Sequence, residues 1–198
     1  KIAKISINYL DDLKYFKTAS RLFLRLEKYN ANFKLMFVGG IVRKLLNEEE
    51  IKDVDIATNI EPKELIRILN KEKIKYFKTG IDHGTITVLI DNLKFELTTL
   101  RKDLNTDGRH ANVEFVSNWE LDAKRRDFTI NAIYTNILGE IYDPLNGVTD
   151  LRNGKVCFIG DPKIRIKEDY LRIIRYIRFF TQYSKYDHDK KTIKAIKI

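Results

Sequence analysis

Apolar residues recur at helical spacing through residues 11–29, where Leu13, Phe16, Ala19, Phe23 and Leu26 form one stripe, and this predicts an amphipathic helix. The run Phe33-Lys34-Leu35-Met36-Phe37-Val38 is too apolar and too short for anything but a buried strand. Gly39-Gly40 interrupts it, and residues 41–46 return to helical character. Strand, double glycine and helix together bring backbone N–H groups toward an anion. Residues 53–56 read as a short strand, and residues 61–69 as a helix with Pro62 in its first turn. Residues 85–90 and 93–100 alternate around Asp91-Asn92, a hairpin pattern. Residues 101–112 are polar with one central glycine, Gly108, and predict a mobile loop. A short strand at 113–116, a short helix at 119–124 and strands at 132–137 and 140–142 follow. From Asp161-Pro162 onward the pattern becomes helical, with one continuous helix expected over 164–180 and another opening at 192. The change sets a boundary: an α/β unit over residues 1–152 and a helical unit over 153–198.

Composition narrows the class. The chain has 198 residues, 43% of them hydrophobic, which is enough apolar material for a buried core and excludes wholesale disorder. Three prolines and nine glycines exclude collagenous and low-complexity readings. No apolar run approaches the roughly 20 residues that span a bilayer, and Lys1-Ile2-Ala3-Lys4 lacks the apolar core of a secretory signal. Cys157 is the single cysteine, so an internal disulfide is excluded and a reducing, cytoplasmic setting is expected. The net charge of +9 has two readings, a lysine-rich compositional drift or a polyanionic partner. The placement of the arginines is more informative than their number.

Asp53 and Asp55 are two apart on a strand, so both carboxylates project to one face, where they can converge on a hard cation such as magnesium. Arg43, one turn after the glycines, is placed to reach the phosphates of the same ligand. Glu96 alternates with apolar neighbours and reads either as a third carboxylate of that site or as an ordinary solvent-facing residue. Residues 124–129, Lys-Arg-Arg-Asp-Phe-Thr, read as a solvated turn or as arginine on a triphosphate, with Asp127 accepting from a ribose hydroxyl or holding an arginine. In Glu168-Asp169-x-x-Arg172-x-x-Arg175-x-x-Arg178, Asp169 and Arg172 are helix neighbours. They either pair with each other or present an acceptor and a forked donor to a base edge, with Arg175 and Arg178 lining a phosphate path. His83 reads as structural, and Cys157, between Val156 and Phe158, as an inert thiol.

Four segments, Gly39-Gly40-Ile41-Val42-Arg43, Asp53-Val54-Asp55-Ile56-Ala57-Thr58, Arg125-Arg126-Asp127-Phe128-Thr129-Ile130-Asn131-Ala132 and Glu168-Asp169-x-x-Arg172, stand in the order and at the intervals of one family. From about residue 33 to 180 the chain resembles the class II nucleotidyltransferases, the bacterial tRNA CCA-adding enzymes and poly(A) polymerases. The resemblance implies an α+β fold: a polymerase-β-like catalytic head with a mixed sheet flanked by helices, then the start of an all-α neck. It implies two magnesium ions on Asp53 and Asp55, and triphosphate on Gly39, Gly40 and Arg43. Arg126 would contact the nucleotide beside Asp127 at the ribose. Asp169 and Arg172 would act as a protein template for CTP and ATP, with Arg175 and Arg178 as further pocket arginines. The implied activity is template-independent addition of C, C and A to the 3′ end of tRNA, with tRNA and nucleoside triphosphates as partners and no membrane. The oligomeric state is not implied.

Two positions depart from the family pattern: Lys44 stands where Asp is usual, and Ala111 where proline is frequent. Members are about twice as long, so a truncated neck is expected here. Two other readings compete: AMP addition to general RNA 3′ ends, and a non-catalytic remnant that binds nucleotide or RNA. The stretch Asp107-Gly108-Arg109-His110 favours the CCA-adding branch.

Overall fold

The computed structural model describes residues 4–5, 14–51, 53–107 and 110–197. Leu13 of the first stripe, Gly108 and Arg109 of the central polar segment, residues 1–3 and Ile198 lie outside the described residues. The first apolar stripe forms α1 (Lys14–Glu27), and Phe16, Ala19, Leu22, Phe23 and Leu26 are its buried face. Phe16 and Phe23 stack on Phe37 of β1 (Leu35–Val38), with ring centroids 4.7 and 5.0 Å away. Each large side chain buried there stabilises the fold by roughly 1.5–3 kcal/mol.

The glycines start α2 (Gly40–Leu46), after which come β2 (Asp55–Thr58) and α3 (Pro62–Lys71). Pro62 occupies the first turn of α3, where a missing N–H costs little. Leu65, Ile68 and Leu69 are the buried face of α3. Strands β3 (Lys75–Gly80), β4 (Thr85–Ile90) and β5 (Leu93–Thr99) follow, and Asp91 and Asn92 both take positive φ between the last two. That is the turn a two-residue hairpin requires.

Strands β8 (Tyr134–Thr135) and β9 (Ile141–Tyr142) complete a seven-stranded sheet of order β3-β4-β5-β2-β1-β8-β9. All its neighbours are antiparallel except β2 and β5, which run parallel, so the sheet is mixed. One face, through Leu35, Phe37, Ile56, Val88, Phe95 and Leu97, joins the core under α1 and α3.

The segment expected as a mobile loop is instead a two-stranded ribbon, β6 (Arg101–Asp107) with β7 (His110–Phe115). It pairs with no other strand among the described residues. The expected helix at 119–124 is α4 (Trp119–Arg125), capped by Asn118 on the N–H groups of Glu120 and Leu121. Only Tyr134 and Thr135 of the expected strand at 132–137 pair with β1; a 3₁₀ turn over Thr129–Asn131 precedes them.

The helical portion begins with α5 (Gly147–Arg152) and continues with α6 (Pro162–Glu168), α7 (Leu171–Tyr183) and α8 (Lys190–Ile196). The single helix expected over 164–180 is therefore two. Asp169 is extended (φ −156°, ψ 107°) and its carboxylate accepts from the N–H of Leu171 at 2.9 Å, restarting the helix in a new direction. Phe128, Ile130 and Leu151 share a cluster with Phe158, Ile166, Tyr176 and Phe179, so one hydrophobic core joins residues on both sides of position 152. Among the described residues no helix is long and apolar enough to cross a membrane.

Gly147 is packed against the 3₁₀ turn so closely that a Cβ would lie 2.1 Å from the carbonyl oxygen of Thr129. Gly147→Ala is expected to lower stability by about 1–3 kcal/mol through forced displacement of that backbone, read as a lower urea midpoint. An unchanged midpoint would contradict the close approach.

Candidate active site

The carboxylates come from the face of the sheet opposite α1 and α3. Alternation along β5 sends Leu93, Phe95 and Leu97 into the core and leaves Glu96 exposed on the other side. Parallel pairing places Asp55 directly beside Glu96. Asp53 lies two residues before Asp55, outside the strand, and with it and Glu96 borders a groove of about 960 Å³. The Asp55 carboxyl is raised above its ordinary value by burial first, then by repulsion from Glu96 and Asp53, with Arg126 opposing.

Among the described residues no hydrogen bond or ion pair engages the carboxylates of Asp53, Asp55 and Glu96. Nor are three or more His, Cys, Asp or Glu side chains already drawn together around a metal-sized point among the described residues. Uncompensated oxygen donors facing each other are the chemistry that a hard divalent cation fits.

Asp55 also borders a second cavity, of about 630 Å³, whose lining includes Gly39, Gly40 and a ring of arginines. Gly39 adopts φ +71°, which favours glycine. A Cβ there would only make ordinary contact, 3.7 Å from Nη1 of Arg126, so the backbone conformation and not the space calls for glycine.

Arg126 is held from behind. Its Nη2 and Nε donate to Oδ2 of Asp122 at 2.9 and 3.2 Å, its Nε also donates to the Tyr134 hydroxyl, and its guanidinium lies 5.3 Å from the Tyr134 ring centre. Burial pushes the Asp122 carboxyl up, but the cations Arg126 and Arg125 overcome it and hold the group at about 2. Burial opposes the charge of Arg126 too, and Asp122 more than offsets it, so its pKa is raised. Tyr134 is raised by burial first and stays a neutral donor.

The other candidates have partners of their own. Asp127 is buried; Oδ1 accepts from the Phe128 N–H at 2.8 Å and from Asn131 Nδ2 at 2.9 Å, while Oδ2 takes Arg175 Nε at 2.7 Å and Nη2 at 2.5 Å. Arg43 is buried, donates from Nη1 to Asn131 Oδ1, and lies over the neighbouring rings of Phe179 and Tyr183 at 4.7 and 4.9 Å. Arg172 does not pair with Asp169. Its Nη1 donates to Glu168 at 2.5 Å and to the Arg165 carbonyl at 2.7 Å. Asp169, Arg172, Arg175 and Arg178 nonetheless all line the arginine cavity. Arg178 also lies over the Phe179 ring at 4.7 Å.

Arg101 and Asp103 line the same cavity and were not singled out from sequence, and Arg125 and Asn131, which also line it, stood within the third family segment without a role of their own. Arg101 and Asp103 come from the root of the β6–β7 ribbon. Burial first, then Arg125, lowers the Arg101 guanidinium to about 10. The spacing of Asp122 before Arg125 and Arg126 was the available signal for the pairing behind them. Of the other expectations, His83 sits in a 3₁₀ turn and its carbonyl accepts from Arg101. Cys157 is half-buried, with its thiol pushed up to about 11 by burial and by Asp150, which keeps it protonated near neutral pH.

A mixed sheet with free carboxylates on one face, meeting an arginine-lined cavity at Asp55, defines the polymerase-β-like nucleotidyltransferase fold. Residues 35–157 match the family model described as "Poly A polymerase head domain", and the chain belongs to that family. It is 43% identical over 183 residues to CCA tRNA nucleotidyltransferase 1, mitochondrial, of Homo sapiens, covering 91% of this chain and 41% of that protein. It is also 43% identical, over 170 residues, to the CCA-adding enzyme of Lactobacillus helveticus, covering 85% and 41%. Among solved structures, the Bacillus stearothermophilus CCA-adding enzyme in complex with CTP superposes with a TM-score of 0.80 at 33% identity, over 93% of this chain and 43% of that one. The chain thus spans about two fifths of the length of these relatives.

Proposed function

We propose that this chain carries the nucleotidyl-transfer site of a tRNA nucleotidyltransferase that adds C, C and A from CTP and ATP to the 3′ end of tRNA, with residues 1–152 as head and 153–198 as the start of the neck. The observation that carries the reading is the meeting of two cavities at Asp55, one bordered by Asp53 and Glu96 and the other lined by arginines. Reacting groups of opposite electrostatic need can meet there: a hydroxyl to be activated and a triphosphate to be neutralised. Similarity to CCA-adding enzymes, one of them solved with CTP, supports the choice of substrates.

In this reading Asp53 and Asp55 hold Mg²⁺, with Glu96 as the neighbouring carboxylate. Bound there, the two-ion arrangement supplies activation of the 3′-hydroxyl and charge neutralisation at the leaving pyrophosphate. Gly39, Gly40 and Arg126 receive the triphosphate, aided by Arg178. Arg43, Asp127 and Arg175 bound the nucleotide cavity and fix the helix above it. Asp169 and Arg172 offer an acceptor and a donor to the base edge, so the choice between C and A rests on protein hydrogen bonds. A cytoplasmic setting belongs to the same reading, on the composition with one cysteine.

Incubation with tRNA lacking its 3′ CCA, with Mg²⁺, CTP and ATP, and sequencing of the product tests this. Ordered addition of C, C and A is expected. Tailing of unrelated RNAs with A alone would replace the reading with a poly(A) polymerase, and nucleotide binding without incorporation would leave a binding remnant.

A further inference from the structure

The 3₁₀ turn over Thr129–Asn131 places one amide between two opposite charges. Asn131 is 7% exposed; its Nδ2 donates to Asp127 at 2.9 Å and its Oδ1 accepts from the Arg43 guanidinium. Both outer members of this row reach the same helix. Asp127 Oδ2 takes two N–H groups of Arg175 of α7, and Arg43 lies over Phe179 and Tyr183 of α7. The four side chains therefore form a continuous polar row, α7 at both ends and the head in the middle. Arg172, Arg175 and Arg178, which line the nucleotide cavity, are all on that helix.

The central position has a strict chemical requirement. It must donate to a carboxylate on one side and accept from a guanidinium on the other. A carboxamide does both at once, in a single orientation. An aspartate would still accept from Arg43 but would set a like charge against Asp127. An apolar residue of the same size would leave a buried carboxylate and a buried guanidinium each short of a partner, which is costly where water is excluded.

We propose that Asn131 is a positioning residue for nucleotide binding, fixing α7 over the cavity by linking Asp127 and Arg43. The inference rests on the nucleotide-binding reading above. Its effect is indirect: Asn131 sets where the arginines of α7 stand, through Asp127–Arg175 and through the packing of Arg43 over Phe179 and Tyr183.

The test compares wild type, Asn131→Asp, and the double variant Asn131→Asp/Asp127→Asn, in which donor and acceptor are exchanged. CTP binding is measured by calorimetry, and amide hydrogen exchange is followed in α7 and in β1, β2 and β5. Asn131→Asp is expected to weaken CTP binding at least tenfold and to speed exchange in α7 while the strands keep their protection. The double variant is expected to recover part of both, because the amide at 127 can donate to the carboxylate at 131 and still accept from Arg175, although it loses the bond from the Phe128 N–H. Wild-type affinity, or unchanged exchange in α7, for Asn131→Asp would overturn the inference, as would a double variant no better than the single one. If Asn131→Asp does not fold, a double variant that folds and binds CTP supports the relay, and one that does not fold refutes it. Absence of CTP binding by the wild type would refute the functional reading instead.

Discussion

Asp55→Asn is expected to abolish nucleotide incorporation, by about a thousandfold or more on the scale of losing a principal electrostatic group of an active site, while raising the thermal midpoint of the free protein. The two effects have one origin. Burial and the charges of Glu96 and Asp53 disfavour the Asp55 carboxylate, so a neutral group of the same shape relieves repulsion in the folded state. The same concentration of negative charge is what a divalent cation requires. A gain in midpoint with loss of turnover, read by calorimetry and by incorporation of labelled CTP, would separate a functional carboxylate from a structural one. A variant that retained turnover would remove Asp55 from the proposed metal site, and a lower midpoint would contradict the repulsion.

Asp122→Ala is expected to cost about 3–5 kcal/mol of stability at neutral pH, because a buried partner of two guanidinium groups is lost. Asp122 accepts from Arg125 at 2.8 Å and Arg126 at 2.9 Å and from the Tyr134 hydroxyl at 2.8 Å, and is 1% exposed. Its folded-state pKa, about 2, lies below that of an unfolded aspartate. The stabilisation is therefore complete above the unfolded pKa, near 4, and is lost as pH falls toward 2. This part amounts to about 2 kcal/mol. Urea unfolding of wild type and variant at pH 7 and pH 3 should show the gap narrowing in acid. A gap of equal size at both values would mean that the carboxylate is not the source. Nucleotide affinity should fall as well, since Arg126 loses the support that aims it at the cavity.

Residues whose chemistry is local were legible in the sequence. Asp53 and Asp55 stand two apart before an apolar run, Glu96 alternates with core residues, and Asp91-Asn92 names its own turn. The structure gathers the three carboxylates around one groove and the arginines of residues 126 and 172–178 around another. Partnerships across long sequence separation were not legible. Arg43 and Asn131 meet 88 residues apart, and Arg175 and Asp127 48 apart, with no periodicity connecting them.

While the end of β7 falls within the strand expected at 113–116, strand β6 and the start of β7 escaped notice for a different reason. Ion pairing such as Lys102–Glu114 replaces hydrophobic alternation there, so the strand signature is absent. The break before α7 was hidden because no glycine or proline marks it. Asp169 makes it by capping, and the helical periodicity on either side conceals the change of direction. Phe128, read as part of a charged turn, is instead the aromatic centre on which Phe158, Tyr176 and Phe179 pack.

The parallel pairing of β2 with β5 also bears on the order in which the site comes into being. Asp55 and Glu96 are about 40 residues apart, and their juxtaposition needs only the chain as far as Thr99. The β1–β8 pairing closes a separation of about 100 residues, and Tyr134, which steadies Arg126, takes its place only then. Long closures are slow because loop entropy is lost before the contacts form. In chain order, the strands that carry Asp55 and Glu96 precede Tyr134, and the arginines of α7 come last. The carboxylates proposed to hold the cation are thus in the chain before any of the arginines of α7 proposed to meet the nucleotide.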